Sequence, residues 1–586
     1  MEVTRANFQE ILEELDPLLK EATFLGIDGE FTGLNSGPDA KPFDTPTQYY
    51  SKLRSGSMDF LMVQFGLSVF THNSQTNRYC QRSYNFYVFP RPLNRNAPDC
   101  RFMCQSSSIS FLASRGFDFN KLFNSGIPYL TMMEEEKLSK KFEERQRIRE
   151  EGLELIPISD EDKPQIDEIC TRINEFLSSD AEELSIDRCN AYVRRLIHQE
   201  SKMRWPQKVR LEAKTDGGIQ TLIVYKMGTK EEEKQKEAAR RDKEKQEIKE
   251  AVGLTALLRK IADSGKLIVG HNMLLDLCHM IHQFFGPLPE SYREFKSLIH
   301  GLFPRLLDTK VICQSPQFKD KVPSSILEAI LDTVGKSPFA IPEIEPVEGR
   351  SYSLVSEKYH EAGYDAFITG LCFIALINNL GLSQQPEVST VLPDSPLLNP
   401  FLNKLLITRL KDFPYINLEG NDPKPSRDHV FHLTFPKEWK LSDLSQLFSP
   451  FGGVYVSWLS DITAYVGLNR RDQSASLLKN LNKDKRMQKC KIQTYAEHQN
   501  YLDGNSAPIT LDRKRKSPTE NATSRKDGTK GQEDKSANGV NNSRDEDGWE
   551  MASGKKRRKR KANVGSGSTG DNDAKKKPFR ENSTWE

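Results

Sequence analysis

Residues 24–34 read FLGIDGEFTGL, and this stretch decides how the rest of the sequence is interpreted. An apolar approach, Phe24 to Ile27, predicts a buried strand that runs into two carboxylates, Asp28 and Glu30. Residues i and i+2 of a strand project from the same face, so the two acids lie side by side. Two like charges buried together are costly unless something compensates them. A divalent cation that prefers hard oxygen ligands, Mg²⁺ or Mn²⁺, would compensate the two charges. A structural pairing with a helix end or a lysine would be the alternative.

The composition excludes several classes of protein. A length of 586 residues predicts three or four domains, and a hydrophobic content of 37% suffices for a sizeable core. The nine cysteines follow no zinc-site spacing, which is typical of reduced thiols inside a cell. The N-terminus is acidic and amphipathic, unlike a signal peptide, and no apolar run of about 18 residues predicts a transmembrane helix. We therefore expect a soluble intracellular protein with no membrane partner.

A second acidic block lies at residues 266–280, KLIVGHNMLLDLCHM. Its apolar residues predict a strand, a Gly-His-Asn turn and then a helix. Asp276 follows Asn272 by four positions, so we expect both side chains on one face of the helix.

A third block lies at residues 359–373, YHEAGYDAFITGLCF. Gly363 predicts that His360 precedes a helix in a loop, whereas Asp365 projects from the first turn of that helix. Each block alone is weak evidence, since a single histidine is more often structural. Their occurrence in this order after the first acidic pair favours the metal-site interpretation.

Taken together, the three blocks resemble the DEDD(h) superfamily of exonucleases, in which four acids bind metal and a histidine assists. The resemblance implies an α/β fold, namely a ribonuclease-H-like exonuclease domain built on a mixed sheet. It implies two Mg²⁺ ions per active site, with Mn²⁺ as an alternative, and hydrolysis by two-metal-ion chemistry. His360 would remove the proton from the attacking water. The implied metal ligands are Asp28, Glu30, Asp276 and Asp365. These four acids and His360 are the implied catalytic residues.

Within that superfamily the chain resembles one particular family, and this resemblance runs almost continuously from residue 1 to about residue 500. Segments such as IDGEFTGL, SMDFLMVQFGL, YNFYVFP and SGKLIVGHNMLLD are similar to the poly(A)-specific ribonuclease family. That family implies a homodimeric, Mg²⁺-dependent 3′-exoribonuclease of the nucleus, nucleolus and cytoplasm. It would shorten the poly(A) tails of RNA in mRNA decay and 3′-end trimming, and release 5′-AMP. The family also implies that Phe31 and Lys310 contact the RNA, supported by Asn272, although a core position for Phe31 is equally compatible with the sequence.

The nuclease domain is predicted in two parts, residues 1–155 and 245–415, separated by a unit at 160–228. Within that unit Arg194 and His198 lie one helical turn apart on one face. The unit matches the Arg-x-x-x-His domain that the family inserts to bind single-stranded nucleic acid, so both residues are implied to contact RNA. The alternative is a solvated basic helix face.

Residues 428–500 show a βαββαβ order of elements, which predicts an α+β RNA-recognition-motif domain. The usual second signature of that motif is replaced by DITAY at 461–465, so base stacking on its sheet is in doubt. The resemblance implies that Trp458 instead stacks on the 5′ cap of mRNA, whose cationic base favours an indole face. A buried sheet tryptophan is the alternative.

The last segment, residues 503–586, is polar and basic, and we expect it to be disordered. Its basic runs at 511–516 and 554–561 are typical of nuclear or nucleolar import signals, and the second equally fits an RNA-binding arm. Two further hypotheses remain for the whole chain. One is a catalytically silent RNA- or cap-binding protein with a nuclease-like fold. The other is a DNA-directed 3′-exonuclease, against which the two RNA-binding modules argue.

Overall fold

The acidic pair of the first motif lies on a central strand of a mixed seven-stranded sheet. The computed structural model describes residues 1–92, 100–151, 155–186, 189–206, 208–216, 219–384, 390–480 and 489–502. Almost all of these belong to one compact unit, Met1–Asn500. The whole segment predicted to be disordered, residues 503–586, lies outside the described residues, and with it the basic runs at 511–516 and 554–561.

The strands, numbered along the chain, are β1 (Glu2–Val3), β2 (Phe24–Phe31), β3 (Met62–Asn73), β4 (Arg78–Tyr87), β5 (Glu183–Ile186), β6 (Val209–Asp216), β7 (Ile219–Lys226), β8 (Leu267–Gly270), β9 (Leu306–Asp308), β10 (Ile344–Pro346), β11 (Lys404–Leu406), β12 (Tyr415–Asn417), β13 (Val430–Thr434), β14 (Val454–Ser460), β15 (Thr463–Leu468) and β16 (Lys491–Thr494). The α-helices are α1 (Phe8–Glu21), α2 (Pro46–Ser57), α3 (Ser106–Ser114), α4 (Phe119–Ser125), α5 (Met132–Glu151), α6 (Lys163–Ser178), α7 (Ala191–Arg204), α8 (Lys230–Val252), α9 (Leu254–Ser264), α10 (Leu274–Met280), α11 (Tyr292–Leu302), α12 (Thr309–Cys313), α13 (Leu327–Val334), α14 (Ala362–Gln384), α15 (Leu441–Phe448), α16 (Ser474–Asn480) and α17 (Tyr495–Leu502).

The large sheet has the strand order β1-β4-β3-β2-β8-β9, and β10 pairs with β4 outside this path. Neighbours β2, β3 and β4 are antiparallel, whereas β8 and β9 run parallel to β2. This mixed sheet, flanked by helices, confirms the predicted α/β architecture.

The helix α14 packs against β2, β3 and β4 and is buried over most of its length. Its residues Phe367, Leu371 and Phe373 join one of the two large apolar clusters of the nuclease domain. By length and composition alone this helix could cross a membrane, which corrects the expectation that no segment is apolar enough. Because 83% of its apolar window is buried inside the protein, it is typical of a core helix.

The predicted inserted unit forms a three-stranded sheet in the order β5-β7-β6, packed against α6 and α7. It has an apolar cluster of its own, to which Ile173, Leu196 and Leu222 belong. The two charged segments that frame it in the sequence are the helices α5 and α8, which contact each other.

The C-terminal unit forms a four-stranded sheet in the order β14-β15-β13-β16, with α15 and α16 in the predicted positions along the chain. Phe43, from the loop before α2, reaches the face of this sheet that α15 leaves open. Its ring stacks on Tyr455 at 5.3 Å and meets Tyr465 edge-on at 5.9 Å. The helix α17 also covers this face, because His498 stacks on His432 with the ring centroids 3.6 Å apart. The sheet face that usually stacks RNA bases is thus occupied by the chain itself.

A buried arginine joins the two domains at this contact. Arg427 pairs with Asp412 at 3.1 Å, and the side chains are 7% and 0% exposed. The same guanidinium donates hydrogen bonds to the carbonyl oxygens of Phe43 and Asp44 and to the hydroxyl of Tyr495. The contacts of Arg427 with Asp412, Phe43 and Asp44 would be lost if the C-terminal domain separated from the nuclease domain.

Candidate active site

The first acidic pair lies where β2 reaches a bulge. Glu30 is paired with Gln64 of β3, but the next residue, Phe31, is paired with Met62, so Val63 is the extra residue. A bulge re-aims the side chains beside it and leaves backbone groups to be satisfied. Here the buried amide of Gln283, from the π-helical turn Ile281–Phe285 after α10, accepts from the Met62 N–H at 3.0 Å and donates to the Met62 carbonyl at 3.1 Å. Gln283 therefore holds the bulge beside Glu30.

The second acidic block delivers Asp276 from the first turn of α10. Its carboxylate accepts a hydrogen bond from the Gly29 N–H, between the two acids of β2. A side chain at position 29 would collide with it, since a Cβ there would lie 3.0 Å from Asp276 Oδ1. Gly29 thus leaves room for the third carboxylate.

Asn272 does not share a helical face with Asp276, and that prediction is wrong. The helix begins at Leu274, and Asn272 precedes it with a φ of 59°, in the left-handed region. The cause is a distant acid: Asp308 Oδ1 accepts from the Asn272 N–H at 3.0 Å and also from the Lys310 N–H at 3.0 Å. This single carboxylate therefore fixes both the turn before α10 and the start of α12.

The third block places His360 in a loop and Asp365 in the first turn of α14, as predicted. His360 has a φ of 68°, and its N–H donates to Asp365 Oδ2 at 3.0 Å. Gly363 lies inside the helix rather than in the loop. It is needed there because a Cβ would lie 2.9 Å from Asn85 Oδ1.

Two glycines of the sheet let α14 come this close. A Cβ on Gly66 would lie 2.0 Å from the Ala362 carbonyl oxygen, and one on Gly26 would lie 2.4 Å from the Ala366 carbonyl oxygen. Since Gly66 of β3 pairs with Asp28, the start of the helix lies next to the strand that carries the acidic pair. The ligand atoms of Glu30, His360 and Asp365 consequently lie within 4.8 Å of one another.

Burial raises the pKa of all four carboxyl groups, and neighbouring negative charges add to its effect. Burial, and then the charges of Asp365 and Asp276, raise the pKa of Asp28 and Glu30 well above their ordinary values. Burial raises the pKa of Asp276 to about 7, and that of Asp365 to about 7 despite the hydrogen bond from the His360 N–H. Four acids drawn from three distant segments therefore form one repulsive cluster.

The imidazole of His360 is neutral at physiological pH, because burial and the nearby Arg115 lower its pKa to about 4. The ring of Phe111, from α3, packs edge-on against it with centroids 4.6 Å apart. A neutral, sterically held imidazole is able to accept a proton.

The residues implied to contact RNA near the acids are mostly buried. Phe31 is 5% exposed and packs on His279 with ring centroids 4.7 Å apart, which agrees with the core alternative. Lys310 is 5% exposed at the start of α12. The structure places both residues beside elements that carry the acids, while their contact with RNA stays a prediction.

Arg194 and His198 lie one turn apart on α7. Arg194 is half-buried and donates to the Cys189 carbonyl at 3.1 Å, whereas His198 is exposed. Their proposed role in RNA binding stays a prediction.

Trp458 is 37% exposed, so the alternative of a buried sheet tryptophan is wrong. Its ring meets Phe435 edge-on at 5.4 Å. Together with Lys437, Trp439 and Asp461 it lines an open depression of about 590 Å³. The indole face is thus accessible to a ligand, and cap stacking stays a prediction.

A mixed sheet that gathers four acids and a histidine defines a nuclease of the ribonuclease-H-like class. The model of the CAF1 family ribonucleases matches residues 3–373, and a model described as an RNA binding domain matches residues 420–501. The chain belongs to the CAF1 ribonuclease family and, within it, to the poly(A)-specific ribonucleases.

The relatives that support this assignment cover most of both chains. The "Poly(A)-specific ribonuclease PARN" of Xenopus laevis is 43% identical over 85% of this chain and 81% of the relative. The protein of the same description from Homo sapiens is 42% identical over 85% of this chain and 80% of the relative. Among solved structures, the Mg²⁺- and Mn²⁺-bound form of S. pombe Pop2p aligns with 15% identity and a TM-score of 0.31, over 66% of this chain and 93% of that one.

Proposed function

We propose that this ribonuclease is a Mg²⁺-dependent 3′-to-5′ exonuclease that shortens the poly(A) tails of RNA and releases 5′-AMP. The observation that carries the proposal is a cluster of four carboxylates, the buried Glu30, Asp276 and Asp365 and the half-buried Asp28, beside a neutral histidine. The relatives described as poly(A)-specific ribonucleases supply the preference for adenosine.

The residues of the cluster fit a divalent cation. Burial, and then repulsion by Asp365 and Asp276, raises the pKa of Asp28 and Glu30, and a bound positive charge would stabilise their ionised forms. Asp365 Oδ1 is buried without a hydrogen-bond partner among the described residues, although Oδ2 has one. Oxygen donors of this kind suit Mg²⁺ and Mn²⁺. The ligands of two such ions would be Asp28, Glu30, Asp276 and Asp365, and the ions would supply an activated water and stabilise the leaving 3′ oxygen.

The protein's own groups orient the remaining chemistry. His360, neutral at pH 7, would accept the proton of the attacking water at its imidazole, while Phe111 limits the rotation of the ring. Lys310 and Asn272, both held by Asp308, would contact the terminal nucleotide or its phosphate. Phe31 would contact the RNA only if its ring moved away from the ring of His279, on which it packs.

The accessory domains would lengthen the RNA-binding surface. Arg194 and His198 would hold a phosphate upstream of the 3′ end, and the exposed face of Trp458 would stack on the 5′ cap and so stimulate the reaction. The family resemblance adds a homodimer. The same resemblance and the basic runs at 511–516 and 554–561 support a location in the nucleus, nucleolus and cytoplasm.

The proposal predicts stepwise shortening of a 5′-labelled RNA that ends in an A-tract, with 5′-AMP as the product in Mg²⁺. Chelation of the metal should abolish the reaction, because the carboxylate cluster alone repels a phosphate. Gel electrophoresis and nucleotide chromatography provide the measurement. Absence of shortening with both Mg²⁺ and Mn²⁺ would leave a catalytically silent RNA- or cap-binding protein. Equal digestion of a DNA ending in a dA-tract would favour the DNA exonuclease.

Trp458→Ala should weaken binding of 7-methylguanosine triphosphate by about tenfold, since a cation–π contact is worth about 1 kcal/mol or more. Quenching of intrinsic fluorescence measures this affinity. Leu459→Ala is the matched control, because Leu459 lines the same depression without an aromatic face. Shortening of uncapped RNA should be the same in both variants. Equal affinity of the Trp458 variant and the unaltered protein for the cap analogue would exclude the stacking role.

A further inference from the structure

The first turn of α14 begins in the protein interior, where its free backbone N–H groups need acceptors. The first four N–H groups of a helix have no partner within the helix, and a Ser, Thr, Asp or Asn at the N-cap usually satisfies one of them. Here the acceptors come from the sheet. Gln64 Oε1 accepts from the Ala362 N–H at 3.0 Å, and Asn85 Oδ1 accepts from the Gly363 N–H at 2.6 Å. Gln64 is 1% exposed and Asn85 is 0% exposed.

The two amides lie on neighbouring strands at the level of the acidic pair. Gln64 of β3 pairs with Glu30 of β2, and Asn85 of β4 pairs with Gly66, which itself pairs with Asp28. The start of α14 is therefore held by β3 and β4, at the level of the two carboxylates that β2 carries beside them. This link consists of strand pairing and side-chain hydrogen bonds, and it does not require a metal ion.

The same amides restrain the segment that carries the histidine. Asn85 Nδ2 donates to Tyr352 Oη at 3.1 Å and to Glu361, the residue between His360 and the helix. Tyr352 in turn donates to Glu361. With Glu361 and the first turn of α14 both fixed directly after it, His360 is held with its N–H on Asp365 Oδ2, while Asp365 Oδ1 has no partner among the described residues.

We propose that Gln64 and Asn85 are positioning residues. They place the segment His360–Asp365 over β2, so that the carboxylate of Asp365 and the carboxylates of β2 can bind the same cations. The proposal rests on the metal-dependent function proposed above. An uncharged amide suits this task, because a carboxylate at either position would add a fifth negative charge to the cluster. An apolar side chain of equal size would leave a helix N–H buried and unpaired, and the first turn would move to satisfy it.

The test is Gln64→Met, which keeps the length of the side chain and removes the acceptor. We expect kcat to fall by about 10- to 100-fold, the effect typical of groups that orient metal ligands, while KM for the RNA changes by less than about twofold. Calorimetric titration of the RNA-free protein with Mn²⁺ should show an affinity about tenfold weaker. Asn85→Leu should have the same signature.

The matched control is Gln81→Met. Gln81 is an equally buried amide of β4, 0% exposed, but it donates to Ser68 Oγ at 2.9 Å within the sheet and makes no hydrogen bond to α14 among the described residues. This variant should lose stability in thermal unfolding yet keep its kcat and its Mn²⁺ affinity. If Gln64→Met does not fold, Gln64→Asn, which withdraws the acceptor by one methylene, should give the same loss in kcat and Mn²⁺ affinity.

Equal changes in the Gln64 and Gln81 variants, or unchanged Mn²⁺ affinity in the Gln64 variant, would overturn the positioning role. Failure of the proposed function would look different. In that case the unaltered protein itself would bind no Mn²⁺ and would not shorten the RNA, whatever the behaviour of the variants.

Discussion

Asp28→Asn is expected to lower the rate of A-tract removal by more than about 100-fold and at the same time to make the metal-free protein more stable. The rate falls because the Asp28 carboxylate is a predicted metal ligand. Even mutation of a group that only hydrogen-bonds to a metal ligand typically lowers activity or metal affinity by about 10- to 100-fold. The gain in stability follows because burial, and then the negative charges of Asp365, Asp276 and Glu30, raise the pKa of Asp28. Removal of one charge relieves the other three.

The dependence on pH has a definite sign. The folded-state pKa of Asp276 and of Asp365 is about 7, whereas an unfolded aspartate titrates near 3.9. Between about pH 4 and pH 7 the folded protein thus binds more protons than the unfolded chain, and its stability falls as the pH rises. The metal-free protein should therefore melt at a lower temperature at pH 7.5 than at pH 5, and saturation with Mg²⁺ at about 100 times its dissociation constant should restore about 2.7 kcal/mol.

Thermal unfolding by circular dichroism, in chelator and in Mg²⁺, measures these effects together with the rate of RNA shortening. For Asp28→Asn we expect a melting temperature on the order of 2 °C higher in chelator and a smaller response to Mg²⁺. Asp320→Asn is the control, because Asp320 is an exposed acid of the same domain. A fall in the metal-free stability of Asp28→Asn would mean that its carboxylate is structural and not part of a cation site.

Gly66→Val is expected to cost at least about 3 kcal/mol of unfolding free energy and to lower the rate by about 100-fold. A Cβ at this position would lie 2.0 Å from the Ala362 carbonyl oxygen and 2.6 Å from the Gly363 N atom. Both obstacles are backbone, so neither can move aside as a flexible side chain would. The start of α14 must shift, and it carries Asp365 with it.

Denaturant unfolding and the rate of RNA shortening, measured on the same preparation, check this expectation. Gly301→Val is the control, because a Cβ on Gly301 meets nothing within 4 Å. A Gly66 variant that melts early but retains full activity below its melting point would contradict the proposed coupling between helix approach and active site.

The sequence predicts the strand and the helix that carry the acids because the pattern of each is local. A short apolar strand ending in Asp-x-Glu predicts β2, and the apolar run after Asp365 predicts α14, without any knowledge of their neighbours. The exposure of Trp458 could not be decided in the same way. A tryptophan near a strand end is compatible with either side of a sheet, and the structure leaves it 37% exposed.

What the sequence does not predict depends on contacts between distant segments. Asn272 was expected on a helix because of its four-residue spacing from Asp276, but its turn is set by Asp308, 36 residues away. Gln283 and Gln64 are single amides within apolar sequence, and their task becomes visible only once the strand register and the helix start are known. A polar residue in an otherwise apolar strand, such as Gln64 in FLMVQFGLSVF, is the one local signal that could have drawn attention to this contact.

The buried pair of Arg427 and Asp412 limits where the chain can be cut. In the full chain Asp412 is 0% exposed, and a truncation anywhere between these residues removes both arginines that pair with it, Arg427 and Arg471. Loss of one partner of a buried pair costs about 3–5 kcal/mol, independently of any RNA contact. A shortened chain that lacks the C-terminal domain would therefore lose stability partly because the negative charge of Asp412 is no longer balanced. Replacing Asp412 by Asn in the same shortened chain would separate that defect from the loss of an RNA-binding surface.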